Sequence, residues 1–220
     1  IENTSGPLGQ GHTFGAGAAI AEKFLEAHLG HEVMQHKIYA YISDGGIEEE
    51  ISQGTGRLAG VLGLNNLIMF YDSNDIQLST ECYMVMNENT EAKYKAWGWN
   101  VLKINGNDED EIREALKSAQ KEDKRPTLII GKTVMGKGAL KDDGSSYERN
   151  VKTHGAPLGG EAYAKTIKNL GGDPTNPFVI FDDVRALYAA RREELKKIVA
   201  SRKATETEWA KINPDKATNL

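Results

Sequence analysis

Cysteine is almost absent: the 220 residues hold one, Cys82. A single thiol excludes an internal disulfide, and without a Cys/His cluster a zinc site is not expected. This usage fits a reducing compartment, so a cytoplasmic setting is expected. No hydrophobic run is long enough to cross a bilayer, so no membrane partner is expected. An excess of one charge is missing too. The 27 basic and 32 acidic residues are interspersed, the net charge is −5, and no basic stripe points to nucleic acid. No internal repeat appears. What remains is 39% hydrophobic and 27% charged, enough for one α/β domain with a real core.

The chain is organised around residues 39–76. An apolar strand over 38–42 runs into Ser43, Asp44, Gly45 and Gly46. After a helix, a second apolar strand over 67–71 runs into Asp72, Ser73, Asn74, Asp75 and Ile76. Alternation of strand and helix at this spacing is an α/β signature. Two adjacent parallel strands would deliver Asp44 and Asn74 to the C-terminal edge of the sheet, where open α/β sheets bind ligands. The Asp44 carboxylate, the Asn74 amide oxygen and the Ile76 carbonyl form an all-oxygen set with little charge. Such a set suits a hard cation such as Mg²⁺, completed by phosphate oxygens. Gly45 and Gly46 carry no Cβ, so a diphosphate can approach the backbone. A helix starting near Ile47 aims its N–H groups at the same place. The same residues also make an ordinary helix cap and turn, and spacing alone leaves both readings open.

Asp44 and Asn74, thirty positions apart, stand like the ends of the thiamine diphosphate motif, which opens with Gly-Asp-Gly and closes with Asn. The first motif position departs, being Ser43. Gly6-Pro7-Leu8-Gly9-Gln10-Gly11 and Thr153-His154-Gly155-Ala156-Pro157-Leu158-Gly159 resemble two further segments of transketolases, in the expected order. The resemblance runs from Ile1 to about Leu170, and more loosely beyond.

It implies a thiamine-diphosphate-binding fold, a parallel sheet with helices on both faces. It further implies that Asp44, Asn74 and the Ile76 carbonyl hold Mg²⁺, with Ca²⁺ as a substitute, and that Gly6, Pro7, Leu8 and Gly45 cradle thiamine diphosphate. Glu49 would join an acidic network linking the two cofactors of a homodimer. His154 would touch both cofactor and sugar substrate and so act catalytically. The implied reaction is transfer of a two-carbon ketol unit between sugar phosphates in the pentose phosphate pathway. The alternatives are another thiamine enzyme, of the deoxyxylulose-phosphate synthase or two-oxo-acid dehydrogenase type, or a non-catalytic interaction module that kept the fold. Ile1 is not a methionine and the chain opens directly on a ligand-type loop, so an interior fragment is expected. It would lack the pyrimidine-binding domain and be inactive alone.

The rest of the chain carries weaker signals. A helix over 12–29 ends at Gly30. His28, His31 and His36 read as solvated. In the helix running to Leu62, Ile51, Gly54, Leu58 and Val61 share a face, while Gly54, Gly56 and Gly60 suggest close packing on a partner subunit. Glu48 and Glu50 read as solvated. Residues 79–89 read as a polar turn holding an inert Cys82, followed by a short helix capped by Thr90. A strand over 99–104, a helix over 109–122 capped by the preceding turn, and a buried strand over 127–133 come next. Residues 134–153 form a long loop in which Lys137 and Lys141 are solvated. Helices are expected over 160–170, 184–203 and 205–212. Residues 1–203 are read as one partial diphosphate-binding domain, and 204–220 as a terminal helix and the start of an interdomain linker.

Overall fold

The structure is a computed structural model describing residues 2–78 and 80–218. Position 79 of the polar turn, Ile1 at the start of the resemblance, and the last two residues of the expected linker lie outside the described residues. The chain divides into two compact units. One comprises Ile1–Ile20 with Lys37–Pro174, the other Ala21–His36 with Thr175–Leu220.

The first unit is built on a parallel sheet of β1 (Ile38–Ser43), β2 (Leu67–Ser73), β5 (Asn100–Asn105) and β6 (Thr127–Lys132), in the order β1-β2-β6-β5. The two central strands, β2 and β6, carry the apolar runs over 67–71 and 128–130, and these runs are largely buried on both faces. On one face, Leu67, Met69 and Tyr71 pack with Ala16, Ile42 and Ile47. That face receives the start of α1 (Gln10–Leu29), with α2 (Asp44–Glu48), α3 (Glu50–Val61) and α4 (Thr90–Ala96). On the other, Ile68 and Ile129 pack on Ala115 and Ala119 of α5 (Glu109–Lys121). Beyond β2 the chain makes a hairpin of β3 (Ile76–Gln77) and β4 (Thr80–Glu81), then a 3₁₀ turn at Cys82–Met84. The expected polar turn is therefore partly ordered as strand. Within the loop over 134–153, Leu140 and Ser146 form an isolated antiparallel bridge. Helix α6 (Gly160–Asn169) follows this loop and the His154 segment.

The region after β1 differs from expectation. Helix α2 begins at Asp44, not near Ile47, and Ser43 caps it, its Oγ accepting from the Gly46 N–H at 3.3 Å. The helix then breaks at Glu49, whose backbone is extended, and α3 begins anew. The carbonyls orphaned by the break are satisfied from α3. Ser52 Oγ donates to Gly46 O at 2.7 Å, and Gln53 Nε2 donates to Ile47 O at 3.0 Å. The polar face of α3 is consequently the buried one, and the apolar stripe faces out, with Ile51 51% and Val61 83% exposed.

The expected packing of Gly56 and Gly60 on a partner is also corrected. Gly56 lies against the Trp97 ring, a Cβ there falling 3.0 Å from it, and a Cβ on Gly60 would overlap the Trp97 carbonyl oxygen. Trp99 Nε1 donates to Gly56 O at 2.8 Å, locking this contact inside the unit. Gly60→Ala is therefore expected to cost about 2 kcal/mol by urea denaturation, although alanine is the better helix former. An unchanged unfolding midpoint would refute this packing account. Asn89, not Thr90, caps α4, accepting from Ala92 N at 2.9 Å.

In the second unit, α7 (Asp182–Ile212) is one continuous helix where two were expected, and α8 (Pro214–Ala217) follows it. Trp209 is buried and donates through Nε1 to Leu29 O at 2.9 Å, while Lys216 Nζ donates to His28 O at 2.6 Å. Together they satisfy carbonyls at the C-terminal end of α1. His31 pairs with Glu26, a partner the sequence did not predict for it.

Candidate functional site

The register pairs Ser43 of β1 with Asp72 of β2, so the chain leaves both strands at the same level. Asp44 is one residue beyond that level and Asn74 two, which brings them together. Asp44 is 2% exposed, and three donors surround its carboxylate. The Tyr71 hydroxyl donates to Oδ1 at 2.5 Å. The N–H groups of Asn74 and Asp75 donate to Oδ2 at 2.9 and 3.1 Å. Burial pushes the Asp44 carboxyl above its ordinary value, against the pull of the Tyr71 and Asn74 hydrogen bonds.

Asn74 is buried, and its Oδ1 accepts from Ile76 N at 3.0 Å, an Asx turn that leaves the amide oxygen one further lone pair. Asp75 between them adopts a left-handed backbone, φ 69°, unusual for a non-glycine residue. Its carboxylate pairs with Lys132, and its carbonyl accepts from Cys82 N at 2.9 Å. Cys82 is buried and its thiol is pushed up to about 12, first by burial and then by the Asp44 charge, which agrees with an inert role.

Gly45 faces a narrow notch. A Cβ there would lie 3.4 Å from Leu8 Cδ1 and 3.5 Å from Gln77 Oε1, so a side chain would fill the space between the N-terminal loop and β3. Leu8 is thus beside the motif, while Gly6 and Pro7 are exposed on the same loop. The loop is tied back at Gly9, where a Cβ would collide with Ile51 and come within 3.3 Å of Glu49 Cβ. Beneath it, buried His12 approaches Ser52 Oγ at 2.6 Å through Nδ1. Burial holds the His12 imidazole down to about 4, against a hydrogen bond with the Tyr41 backbone.

Of the acidic run, Glu49 is exposed at the break between α2 and α3, and Glu50 is exposed as expected. Glu48 departs from expectation. Its Oε1 is buried without a hydrogen-bond partner, and burial raises its carboxyl against a side-chain hydrogen bond with Gln77. Glu48 turns inward because it lies one helical turn after Asp44, on the face that α2 presents to β3.

His154 follows a 3₁₀ turn at Val151–Thr153, and its Nδ1 is buried without a hydrogen-bond partner. It lines a pocket of about 790 Å³ with Leu78, Glu81, Tyr147, Arg149 and Lys152. Leu78 adjoins Gln77 in sequence and approaches the Cβ position of Gly155 at 4.0 Å, so the His154 segment and the Gly45 notch meet at the same hairpin.

Among the described residues no group of three or more His, Cys, Asp or Glu side chains gathers as a metal site. A cation here would depend on one carboxylate, one amide oxygen, a backbone carbonyl and ligand oxygens. That donor set suits Mg²⁺ carrying a diphosphate, and the lack of a Cβ at Gly45 leaves its backbone bare beside Leu8 and Gln77.

Sequence reasoning had singled out Asp44, Gly45, Asn74, Ile76, Leu8 and His154, which the fold gathers around one hairpin. It missed Tyr71, Gln77 and the His12–Ser52 pair. Tyr71 sits in an apolar run and reads as core, so no local signal separates its hydroxyl from its ring. Gln77 carries a weak one, a polar residue beside a proposed ligand.

Comparison with known proteins bears on the family and the fold. The sequence profile of the family described as "Transketolase, thiamine diphosphate binding domain" matches residues 1–220. A protein named Transketolase 2 from Xanthobacter flavus is 39% identical over 196 residues, covering 87% of this chain and 28% of its own length. A Transketolase 2 from Vibrio parahaemolyticus is 41% identical over 195 residues, with the same coverage of 87% and 28%. Among solved structures, a transketolase from Campylobacter jejuni superposes with a TM-score of 0.87 at 37% identity, covering 98% of this chain and 33% of that one. A transketolase from Leishmania mexicana superposes with a TM-score of 0.92 at 31% identity, covering 99% and 32%. The chain thus spans about 28% of the length of these curated relatives.

Proposed function

The chain belongs to the transketolase family through its thiamine diphosphate-binding domain, and from that premise we propose that it serves two-carbon ketol transfer between sugar phosphates, as in the pentose phosphate pathway. The observation that carries the proposal is the meeting of Asp44, Asn74 and Ile76 just beyond the paired ends of β1 and β2.

In this reading Asp44, Asn74 Oδ1 and the Ile76 carbonyl hold Mg²⁺, with Ca²⁺ as a workable substitute. Gly45 admits the diphosphate, and Gly6, Pro7 and Leu8 bound the cofactor from the N-terminal loop. When bound, thiamine diphosphate supplies the carbon nucleophile that breaks and remakes the carbon–carbon bond. His154 uses its unsatisfied Nδ1 toward cofactor and sugar hydroxyls, orienting the substrate and holding a proton there. The exposed stripe of Ile51, Leu58 and Val61, next to Glu49, is the surface offered to a second copy, through which Glu49 would reach the acidic network of a homodimer. The remaining half of the cofactor site would come from a pyrimidine-binding domain outside this chain, and the setting is cytoplasmic.

The test is ketol transfer from xylulose 5-phosphate to ribose 5-phosphate by the protein as its gene encodes it. Transfer should require both Mg²⁺ and thiamine diphosphate, and the isolated 220-residue chain should show none. Transfer independent of either cofactor would refute the reading.

A further inference from the structure

We infer that Tyr71 is a positioning residue for Asp44: its hydroxyl holds the carboxylate oxygen that a divalent cation meets and sets how tightly the cation binds. The inference rests on the reading of Asp44 as a cation ligand. A carboxylate offers about four lone-pair positions. The N–H groups of Asn74 and Asp75 occupy both on Oδ2, and the Tyr71 hydroxyl occupies one on Oδ1. Of the two oxygens Oδ1 carries the fewer of these donors, and the Cys82 thiol also bonds to the carboxylate, so a cation is met by one oxygen, the one that Tyr71 holds. One-oxygen coordination suits the strict octahedron of Mg²⁺ better than the larger, often two-oxygen shell of Ca²⁺.

The three donors differ in rigidity. The two backbone donors lie in the turn after β2, where Asp75 occupies a left-handed conformation. Tyr71 instead lies within β2, paired on one side with Ile42 and on the other with Ile130, and its ring is 4% exposed in the core. Its hydroxyl is therefore placed by the sheet, and Asp44 is aligned to the sheet through it. Partners of this outer kind commonly govern metal affinity by about 10- to 100-fold.

Tyr94 provides an internal comparison. It is equally buried, but its hydroxyl meets no partner. Tyr71→Phe removes one oxygen from the Asp44 contact, and Tyr94→Phe removes one oxygen that contacts nothing polar.

The experiment is calorimetric titration of Mg²⁺, and separately Ca²⁺, into the gene-encoded protein held in excess thiamine diphosphate, with thermal unfolding of the metal-free protein beside it. Tyr71→Phe should raise the Mg²⁺ concentration for half-saturation by about 10- to 100-fold. Tyr94→Phe should leave it unchanged. A Tyr71→Phe protein with a lower unfolding temperature but wild-type half-saturation would overturn the inference, because the hydroxyl would then serve the fold alone. Should the variant fail to fold, 3-fluorotyrosine at position 71 keeps the ring and hydroxyl. Its fluorine resonance must then shift on Mg²⁺ addition with the half-saturation seen by calorimetry, and an unmoved resonance overturns the inference. A wild-type protein that takes up no Mg²⁺ with the cofactor would sink the cation site itself. A wild-type that binds beside an equally tight Tyr71→Phe would sink only the role of Tyr71.

Discussion

Asp44→Ala is expected to reduce Mg²⁺-dependent retention of thiamine diphosphate by more than about a hundredfold, and ketol transfer with it, beyond the range typical of outer-shell changes. The substitution removes the only carboxylate of the proposed donor set. It also strands three donors that now converge on that carboxylate, namely the Tyr71 hydroxyl and the Asn74 and Asp75 N–H groups. A donor left unsatisfied in a buried site costs about 1–3 kcal/mol. Against this, a buried carboxylate held above its ordinary range is relieved. The net loss of fold stability should therefore be much smaller than the loss of binding. Equilibrium dialysis of the cofactor with and without Mg²⁺, alongside urea unfolding, separates the two. Retention that survives the substitution would move the cation elsewhere. Retention and folding lost in proportion would make Asp44 a structural carboxylate.

Acidification should destabilise the first unit through His12. Its imidazole titrates near 4 in the folded chain and near 6.5 when exposed, because the folded environment buries it. The unfolded chain therefore binds a proton that the folded chain refuses between those values. The stability contributed by neutral His12 is present in full above about 6.5 and is lost progressively as the pH falls toward 4. A fall of this size corresponds to about 3 kcal/mol. His12→Leu keeps the buried volume and removes the titration. Ser52 retains its hydrogen bond to the Gly46 carbonyl, so the turn after β1 keeps its support. The urea midpoint, followed by the fluorescence of buried Trp99, should drop between pH 7.5 and pH 4.5 in the wild type and drop less in the variant. Parallel curves for the two proteins would remove His12 from the account.

Both effects arise from the same few ångströms around the first turn of α2. Asp44 is within hydrogen-bonding distance of the turn after β2. His12 and Ser52 hold the Gly46 backbone from the opposite side, and Gly45 lies between them beside Leu8 and Gln77. The site is thus supported by buried polar contacts on each flank, which explains why α3 buries its polar face here. Ser43 has a role in the same turn. Its backbone is ordinary extended chain, so no glycine is required at this position, and its hydroxyl caps α2. The departure from the Gly-Asp-Gly pattern is therefore compatible with the turn.

The sequence by itself determined a parallel sheet with helices between its strands and the delivery of Asp44 and Asn74 to one edge. Those follow from short-range pattern: apolar runs of strand length, helical periodicity between them, and the rule that parallel strands end at a common edge. Tertiary structure alone decided the rest. Which face of α3 is buried depended on carbonyls freed by a break at Glu49, which periodicity does not register. The inward turn of Glu48, the contact of Gly56 with Trp97 and the hydroxyl of Tyr71 on Asp44 likewise join residues remote in sequence. Hydrogen-bond satisfaction in a buried site is a non-local condition, set by whichever groups the fold happens to bring within reach. A ring and its hydroxyl look the same in a sequence whether the oxygen meets Asp44, as in Tyr71, or nothing, as in Tyr94.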